Sequence, residues 1–206
     1  MPIDLAALLE PSRTAIVYQE CQNAVLGTDA VLPALAEAAR PTIIPNLGRL
    51  ATAARAVGAP IFHAIAMRRE DGGGGNTNAR LFRAVTKSSA PMAPGSPGVE
   101  PIPEIGLDPR DYVVPRIHGL GPINGTEVEP LLRNLGITTV IAAGVSLNVG
   151  VIDLVFDAVN AGYQVVIPRD AVAGVPLEYG EAVLEHTMAV VATLCRTDDI
   201  LQVWGA

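Results

Sequence analysis

The run TTVIAA at Thr138–Ala143 is short and apolar, as expected of a β-strand that is buried on both faces. A helix is predicted to follow over Asn148–Ala161 and to end at Gly162. A second apolar run, QVVI at Gln164–Ile167, then predicts another strand. Strand, helix and strand in this order form a βαβ unit, whose two strands lie parallel. This stretch therefore predicts an α/β fold.

The same alternation extends along the chain in both directions. Further strands are predicted at Thr14–Gln19, Ile61–Ala66, Tyr112–Val114 and Ala192–Cys195, and further helices at Pro41–Val57, Thr126–Leu135, Glu178–Val190 and Asp198–Val203. Thr126 and Glu129 have the spacing of a capping box at the start of their helix. The stretch from Asp71 to Leu107 is rich in glycine and proline and is predicted to be irregular, and such a long irregular segment is usually functional.

Composition narrows the class of protein and its partners. The 206 residues are 50% hydrophobic and 17% charged, which predicts one globular domain over residues 1–206. A net charge of −7 without a basic stripe argues against a nucleic-acid partner. No apolar stretch approaches the roughly 18–20 residues of a membrane span, and the chain does not begin like a signal peptide. We therefore expect a cytoplasmic protein that acts on a small-molecule substrate, without a membrane partner.

In open parallel sheets, ligands bind beyond the carboxyl ends of the strands. This rule directs attention to the segments that follow Gln19, Ala66, Val114 and Ala143. Three of these segments carry recognisable motifs: YQECQN at Tyr18–Asn23, VVPR at Val113–Arg116 and GVSLNVGV at Gly144–Val151. Pairs of residues then follow in fixed order, namely Asp157-Ala158, Gly162-Tyr163 and Asp170-Ala171.

These motifs resemble those of the isochorismatase-like hydrolase superfamily, over almost the whole chain from Thr14 to Trp204. In that superfamily the first strand ends in Asp, an apolar residue, Gln and Asn, and a valine-rich strand ends in Lys. The later pattern is Gly-Val, four variable residues, then Cys-Val. The resemblance implies a doubly wound, Rossmann-like, six-stranded parallel sheet with strand order 3-2-1-4-5-6 and three layers. It also implies a homodimer or homotetramer, and a cis peptide at Val145–Ser146.

The resemblance also implies three catalytic positions. Cysteine members of the superfamily use an Asp as general base, an assisting Lys and a nucleophilic Cys. By position these correspond to Glu20, Arg116 and Gly150, so all three residue types differ here. The isochorismatases proper resemble this chain at the glycine, and they hydrolyse a vinyl ether without a cysteine.

The altered residues leave two interpretations open at each charged position. Glu20 can act as a general acid or base, or can be a structural partner of Arg116. Arg116 keeps its charge at any relevant pH and can bind an anion bidentately, or can serve only in that ion pair. Gly150 has no thiol, and the alternation of the strand predicts that Cys21 points into the core.

Seven further residues are predicted to contact the substrate: Gln22, Asn78, Arg80, His118, Ser146, Asn148 and Val149. The backbone around Val149 and Gly150 is expected to provide oxyanion donors at a helix start. The residues that follow His63 offer no ligand set, so we expect no metal and no cofactor. The leading hypothesis is a hydrolase that works without a cysteine nucleophile. The competing hypothesis is an inactive relative that binds a small ligand or serves as an assembly protein.

Overall fold

Seven strands form one sheet in the computed structural model of the chain, which describes residues 4–206. The first three residues, which the predicted domain includes, lie outside this range. The strands are β1 (Thr14–Gln19), β2 (Ile61–Ala66), β3 (Tyr112–Arg116), β4 (Thr139–Val145), β5 (Gln164–Pro168), β6 (Val172–Ala173) and β7 (Thr193–Cys195).

The main path of the sheet runs β3-β2-β1-β4-β5-β7, and every neighbouring pair is parallel. This is the predicted six-stranded order, with β7 as the sixth strand, and the prediction is confirmed. One strand was missed, because β6 contains only two residues and so short a segment carries no periodicity. It pairs with the end of β4, at Gly144 and Val145.

Helices cover both faces of the sheet and produce the three layers that were predicted. The helices are α1 (Leu5–Leu8), α2 (Asn23–Leu26), α3 (Pro33–Ala39), α4 (Ile43–Val57), α5 (Arg80–Val85), α6 (Val128–Asn134), α7 (Ile152–Asn160), α8 (Leu177–His186) and α9 (Thr197–Trp204). Leu50 of α4 and Trp204 of α9 belong to the core on one face, whereas Leu132 of α6 and Leu154 of α7 belong to the core on the other. Between residues 4 and 206, no helix has the length and hydrophobicity needed to cross a bilayer.

Side chains of β1 alternate between the two cores. Ile16 and Tyr18 lie in the α4 and α9 core, and Ala15 and Val17 lie in the α6 and α7 core. Because successive side chains of a strand point to opposite faces, Gln19 continues the second series and points toward α7. This orientation places the side-chain amide of Gln19 at the carboxyl ends of the strands, where ligands bind in open parallel sheets.

Two helix-end predictions had different outcomes. Gly58 lies directly after α4 with a φ of 75°, the left-handed conformation that glycine adopts at helix ends. The predicted capping box at Thr126 is wrong. The Thr126 hydroxyl does accept a hydrogen bond from the Val128 amide at 3.1 Å. A capping box also requires the Glu129 carboxylate to accept a hydrogen bond from the Thr126 amide, but Glu129 pairs with Arg133 instead.

A buried polar cluster connects β2 to the start of β3. His63 is fully buried, and its Nε2 lies 3.0 Å from Oδ2 of Asp111, which also accepts a hydrogen bond of 2.6 Å from Arg55. Burial lowers the pKa of His63, and the opposing effect of Asp111 does not cancel it. Burial alone would raise the pKa of Asp111, but hydrogen bonds from Arg55, the Asp108 amide and His63 leave it below its usual range.

Candidate active site

A cavity of about 170 Å³ lies where β1, β2, β3 and β4 end. Its lining includes Glu20 after β1, Ala66 at the end of β2, Arg116 at the end of β3 and Ser146 after β4. This is the place that the rule for parallel sheets predicts for a ligand. The candidate active site is therefore built on the sheet.

Glu20 reaches the cavity through an unusual backbone conformation. Its φ is 53°, and among residues 4–206 it is the only residue other than glycine with a positive φ. Its amide still donates to the Ala64 carbonyl of β2, at 3.0 Å. The side chain is 24% exposed, and its Oε1 accepts hydrogen bonds from Arg116 and, at 3.0 Å, from Nε2 of Gln19.

Arg116 is the last residue of β3, and its side chain is only 5% exposed. Its Nε donates to the Gly121 carbonyl at 3.1 Å, and its Nη2 donates to both Glu20 and the Leu120 carbonyl. The predicted anion-binding cation is therefore already paired, and its charge is balanced by the Glu20 carboxylate. Nη1 makes no hydrogen bond within the part of the chain that the structure describes, so this group remains for a ligand.

Gly150 lies against Gln19. A Cβ atom placed on Gly150 would lie 2.5 Å from Nε2 of Gln19, closer than real Cβ atoms approach their neighbours, and 3.1 Å from its Cδ, which is also a tight contact. Gln19 is fully buried, and its Nε2 also donates to the Leu120 carbonyl at 3.1 Å. Its Oε1 is buried without a hydrogen-bond partner among the described residues. The Gln19 side chain thus occupies the space that a side chain at position 150 would need.

The segment after β4 has the predicted cis peptide, Val145–Ser146. A π-helical turn over Leu147–Val151 follows and leads into α7. The amide of Val149 donates to the Ser146 carbonyl at 3.1 Å. The turn itself therefore uses the hydrogen of the Val149 amide, and the expected oxyanion donors in the backbone around Val149 and Gly150 stay a prediction.

Six of the ten predicted site residues line the cavity: Glu20, His118, Arg116, Ser146, Val149 and Gly150. Four do not. Gln22 is buried, and its amide is used by main-chain groups of Ala66 and Gly98. Asn148 accepts a 2.7 Å hydrogen bond from the Ser146 hydroxyl, so it shapes the turn.

The other two residues outside the cavity, Asn78 and Arg80, are exposed. In their place Asn76 lines the cavity, and its Oδ1 accepts a 2.9 Å hydrogen bond from the Gly119 amide. Sequence considerations single out all three residues of this loop as candidates, and the structure places only Asn76 in the lining, since the path of an irregular loop follows from packing rather than from periodicity.

Neither cysteine of the chain lines the cavity. Cys21 is buried as predicted, and its thiol donates to the Gln19 carbonyl at 3.6 Å. Burial, reinforced by the nearby Glu20, raises the pKa of Cys21 well above its usual range. Burial raises the pKa of Cys195 to about 12, with smaller contributions from Asp199 and Asp170. Both thiols are protonated at neutral pH and are therefore poor nucleophiles.

The family model for the isochorismatase domain matches residues 14–199. The chain belongs to the isochorismatase family. This confirms the resemblance inferred from the motifs, and with it membership of a hydrolase family.

Among curated proteins, the isochorismatase family relatives include the ureidoacrylate amidohydrolase of Pseudomonas syringae pv. syringae. It is 28% identical, over 79% of this chain and 71% of its own length. An uncharacterized isochorismatase family protein of Bacillus subtilis is 31% identical, but the match covers 49% of this chain and only 53% of that protein. A cysteine hydrolase structure from Pseudomonas syringae pv. phaseolicola shares the fold, with a TM-score of 0.82 at 20% identity, covering 96% and 95% of the two chains.

Two parts of the site were not predicted. Gln19 was interpreted only as the last residue of a strand, although a polar residue at the end of a buried apolar strand is a signal that could have identified it. The apolar side of the cavity, which includes Leu81 and Phe82, was also missed, because apolar residues in a loop-rich segment are not distinguishable from core residues by sequence.

Proposed function

We propose that this chain hydrolyses a small molecule without a cysteine nucleophile, and that Glu20 is its general acid or base. One observation carries the proposal: the Glu20 carboxylate lines an open cavity beside Gly150, where Gln19 fills the space of a side chain. Since neither cysteine lines this cavity, the proposal takes water as the attacking nucleophile.

The bond that we propose is an amide or ureide bond. The supporting relative is the ureidoacrylate amidohydrolase, whose name describes this chemistry. Glu20 would remove a proton from water as the water oxygen bonds to the carbonyl carbon. The tetrahedral intermediate would then collapse, the C–N bond would break, and the leaving nitrogen would take the proton back from Glu20.

Arg116 and Gln19 would position Glu20 in this mechanism. Both donate to the same oxygen, Oε1, which leaves Oε2 for the proton transfer. The free Nη1 of Arg116 would bind the substrate carbonyl oxygen and stabilise the negative charge that develops on it. Arg116 would therefore bind an uncharged carbonyl group rather than an anion, because its charge is already balanced by Glu20.

The test is a panel of amides, ureides and vinyl ethers, assayed with the wild-type protein and with Glu20→Gln. Loss of general acid–base catalysis lowers turnover by about 10²–10⁴-fold, and we expect a loss of this size. Glu185→Gln is the matched control, because Glu185 is exposed on α8 and does not line the cavity. Turnover that is the same in Glu20→Gln and wild type refutes the proposed role.

A second candidate function follows from the Glu20–Arg116 ion pair. If the pair is purely structural, the chain is an inactive relative that binds a small ligand or serves in an assembly. The open cavity beside the ion pair supports the enzyme over this alternative. Ligand binding without turnover on any member of the panel would favour the inactive relative. We also propose a homodimer or homotetramer, which light scattering of the purified protein tests.

A further inference from the structure

The rest of the cavity lining is strongly apolar. Two stretches of chain form this apolar wall, one leading into α3 and one running from α5 to Met92. We define the apolar wall as Val31, Leu35, Leu81, Phe82, Val85 and Met92. Val31 and Val85 pack around the buried Met92, in a small cluster separate from the two main cores. Leu35 also belongs to the core beside α4, so the apolar wall extends from that core to the separate cluster and lines the cavity throughout.

We propose that the substrate has about six carbon atoms in all and carries an uncharged apolar group, which lies against the apolar wall while the scissile bond lies at Glu20. The proposal rests on the proposed function for the location of the scissile bond. It goes further by naming the class of substrate, an amide or ureide with a hydrophobic substituent.

The size of the group follows from the volume of the cavity. An apolar cavity of about 150 Å³ accommodates one benzene molecule. The present cavity, at about 170 Å³, includes the space at Glu20, so it admits a whole ligand, amide group included, close in size to a phenyl ring or a six-carbon chain. Burial of each additional methylene tightens binding about fourfold, until the cavity is full.

The absence of charge on the group follows from the apolar wall, whose six side chains carry no strong hydrogen-bond donor. Arg116 is balanced by Glu20, and its Nε and Nη2 donate to protein acceptors. Arg68 forms no ion pair among the described residues, but it donates to the Val85 carbonyl at 2.6 Å and to the Ser88 carbonyl at 3.3 Å. A carboxylate against the apolar wall would lose its hydration without a donor from the wall to replace it, and this loss is unfavourable.

The test measures binding of linear primary amides from acetamide to decanamide, and of the carboxylates of the same lengths. The amides are measured on the Glu20→Gln protein, so that hydrolysis does not consume the ligand. The carboxylates, which are not hydrolysed, are measured on the wild-type protein, in which Glu20 still balances Arg116, beside the uncharged methyl ketones of the same lengths. We expect the Kd of the amides to fall about fourfold per methylene up to about six carbons and then to level off. We expect each carboxylate to bind more weakly than the methyl ketone of the same length. A Kd that is independent of chain length, or a preference for carboxylates, overturns the proposal.

Two variants test the location of the group. Phe82→Ser removes part of the apolar wall and should weaken the longer amides more than acetamide. Phe156→Ser is its matched control, because Phe156 is exposed on α7 and outside the cavity, and it should leave the series unchanged. Val85→Phe fills the cavity and should move the levelling-off point to shorter amides. An unchanged length dependence in both wall variants overturns the location.

This experiment separates the two proposals. Length-dependent binding of amides, with no hydrolysis by the wild-type protein, supports the apolar wall and counts against the proposed function. Hydrolysis that depends on Glu20 but ignores chain length supports the proposed function and overturns the apolar group.

Discussion

Substitution of Gly150 by alanine should destabilise the protein through Gln19. The new Cβ would lie 2.5 Å from Nε2 of Gln19, so the buried amide must move. Movement breaks its hydrogen bonds to Glu20 at 3.0 Å and to the Leu120 carbonyl at 3.1 Å. A bond to a charged group contributes roughly 1.5–3 kcal/mol and a neutral one roughly 0.5–1.5 kcal/mol.

Alanine also has a higher helix propensity than glycine, which offsets up to about 1 kcal/mol of this loss. The net decrease in the free energy of unfolding is therefore roughly 1–4.5 kcal/mol. For a protein of this size, each kcal/mol lowers Tm by about 2–4 °C, so we expect a decrease of about 2–18 °C. Guanidinium titration and thermal unfolding of Gly150→Ala measure both quantities.

The control for the substitution itself is Gly180→Ala. Gly180 lies within α8, and a Cβ there would be 3.6 Å from its nearest neighbour, an ordinary contact. We expect this variant to be neutral or slightly more stable than wild type.

The control for the mechanism is the Gln19→Ala background, in which the three atoms nearest the new Cβ are absent. There, Gly150→Ala should be neutral or stabilising, and the double-mutant cycle should give a coupling of roughly 2–4.5 kcal/mol, the sum of the two lost hydrogen bonds. An equal loss of stability in both backgrounds would refute the reasoning.

Three further predictions follow from buried groups. Arg116→Met should lower the free energy of unfolding by roughly 2–4 kcal/mol, because it leaves Glu20 without its charged partner; the loss should be smaller in a Glu20→Gln background, as denaturant titration of the four proteins will measure. Stability should decrease as pH falls below about 6.5, because the folded state lowers the pKa of His63 and the unfolded chain then binds more protons. Thermal unfolding of His63→Gln should show a weaker dependence on pH between about 5 and 7, the range around the usual pKa of histidine, and an unchanged profile would contradict this assignment. Finally, Cys21 and Cys195 should resist alkylation in the folded protein, since burial raises the pKa of both thiols; rapid labelling of either thiol under native conditions would count against this.

The fold was predictable because each element carried its own local signal. β1, β2, β4 and β5 are apolar runs, and Gly58 ends α4 as expected of glycine in the left-handed conformation. The failures occurred where one local signal competed with another. Glu129 has the spacing for a capping box, but Arg133 lies one helical turn away and pairs with it instead.

The site was predictable only where the sheet determines it. Glu20 and Arg116 follow strands, so the register of the sheet brings them together. Asn78 lies in a loop, where no such register exists. Gln22 illustrates a different limit: its amide is polar and near the site, but sequence cannot reveal that main-chain groups already use its donor and acceptor.

Two kinds of segment line the cavity, and they differ in how well they tolerate substitution. Glu20 and Arg116 are held by the hydrogen-bonded ladder of the sheet, so a change near them disturbs many neighbours. Leu81, Phe82 and Val85 belong to a segment outside the sheet, where substitutions are better tolerated. Mutation can therefore alter which molecule is accepted while the reacting groups stay in place. For protein engineering, residues 81–92 are the region to randomise when a new substrate is sought.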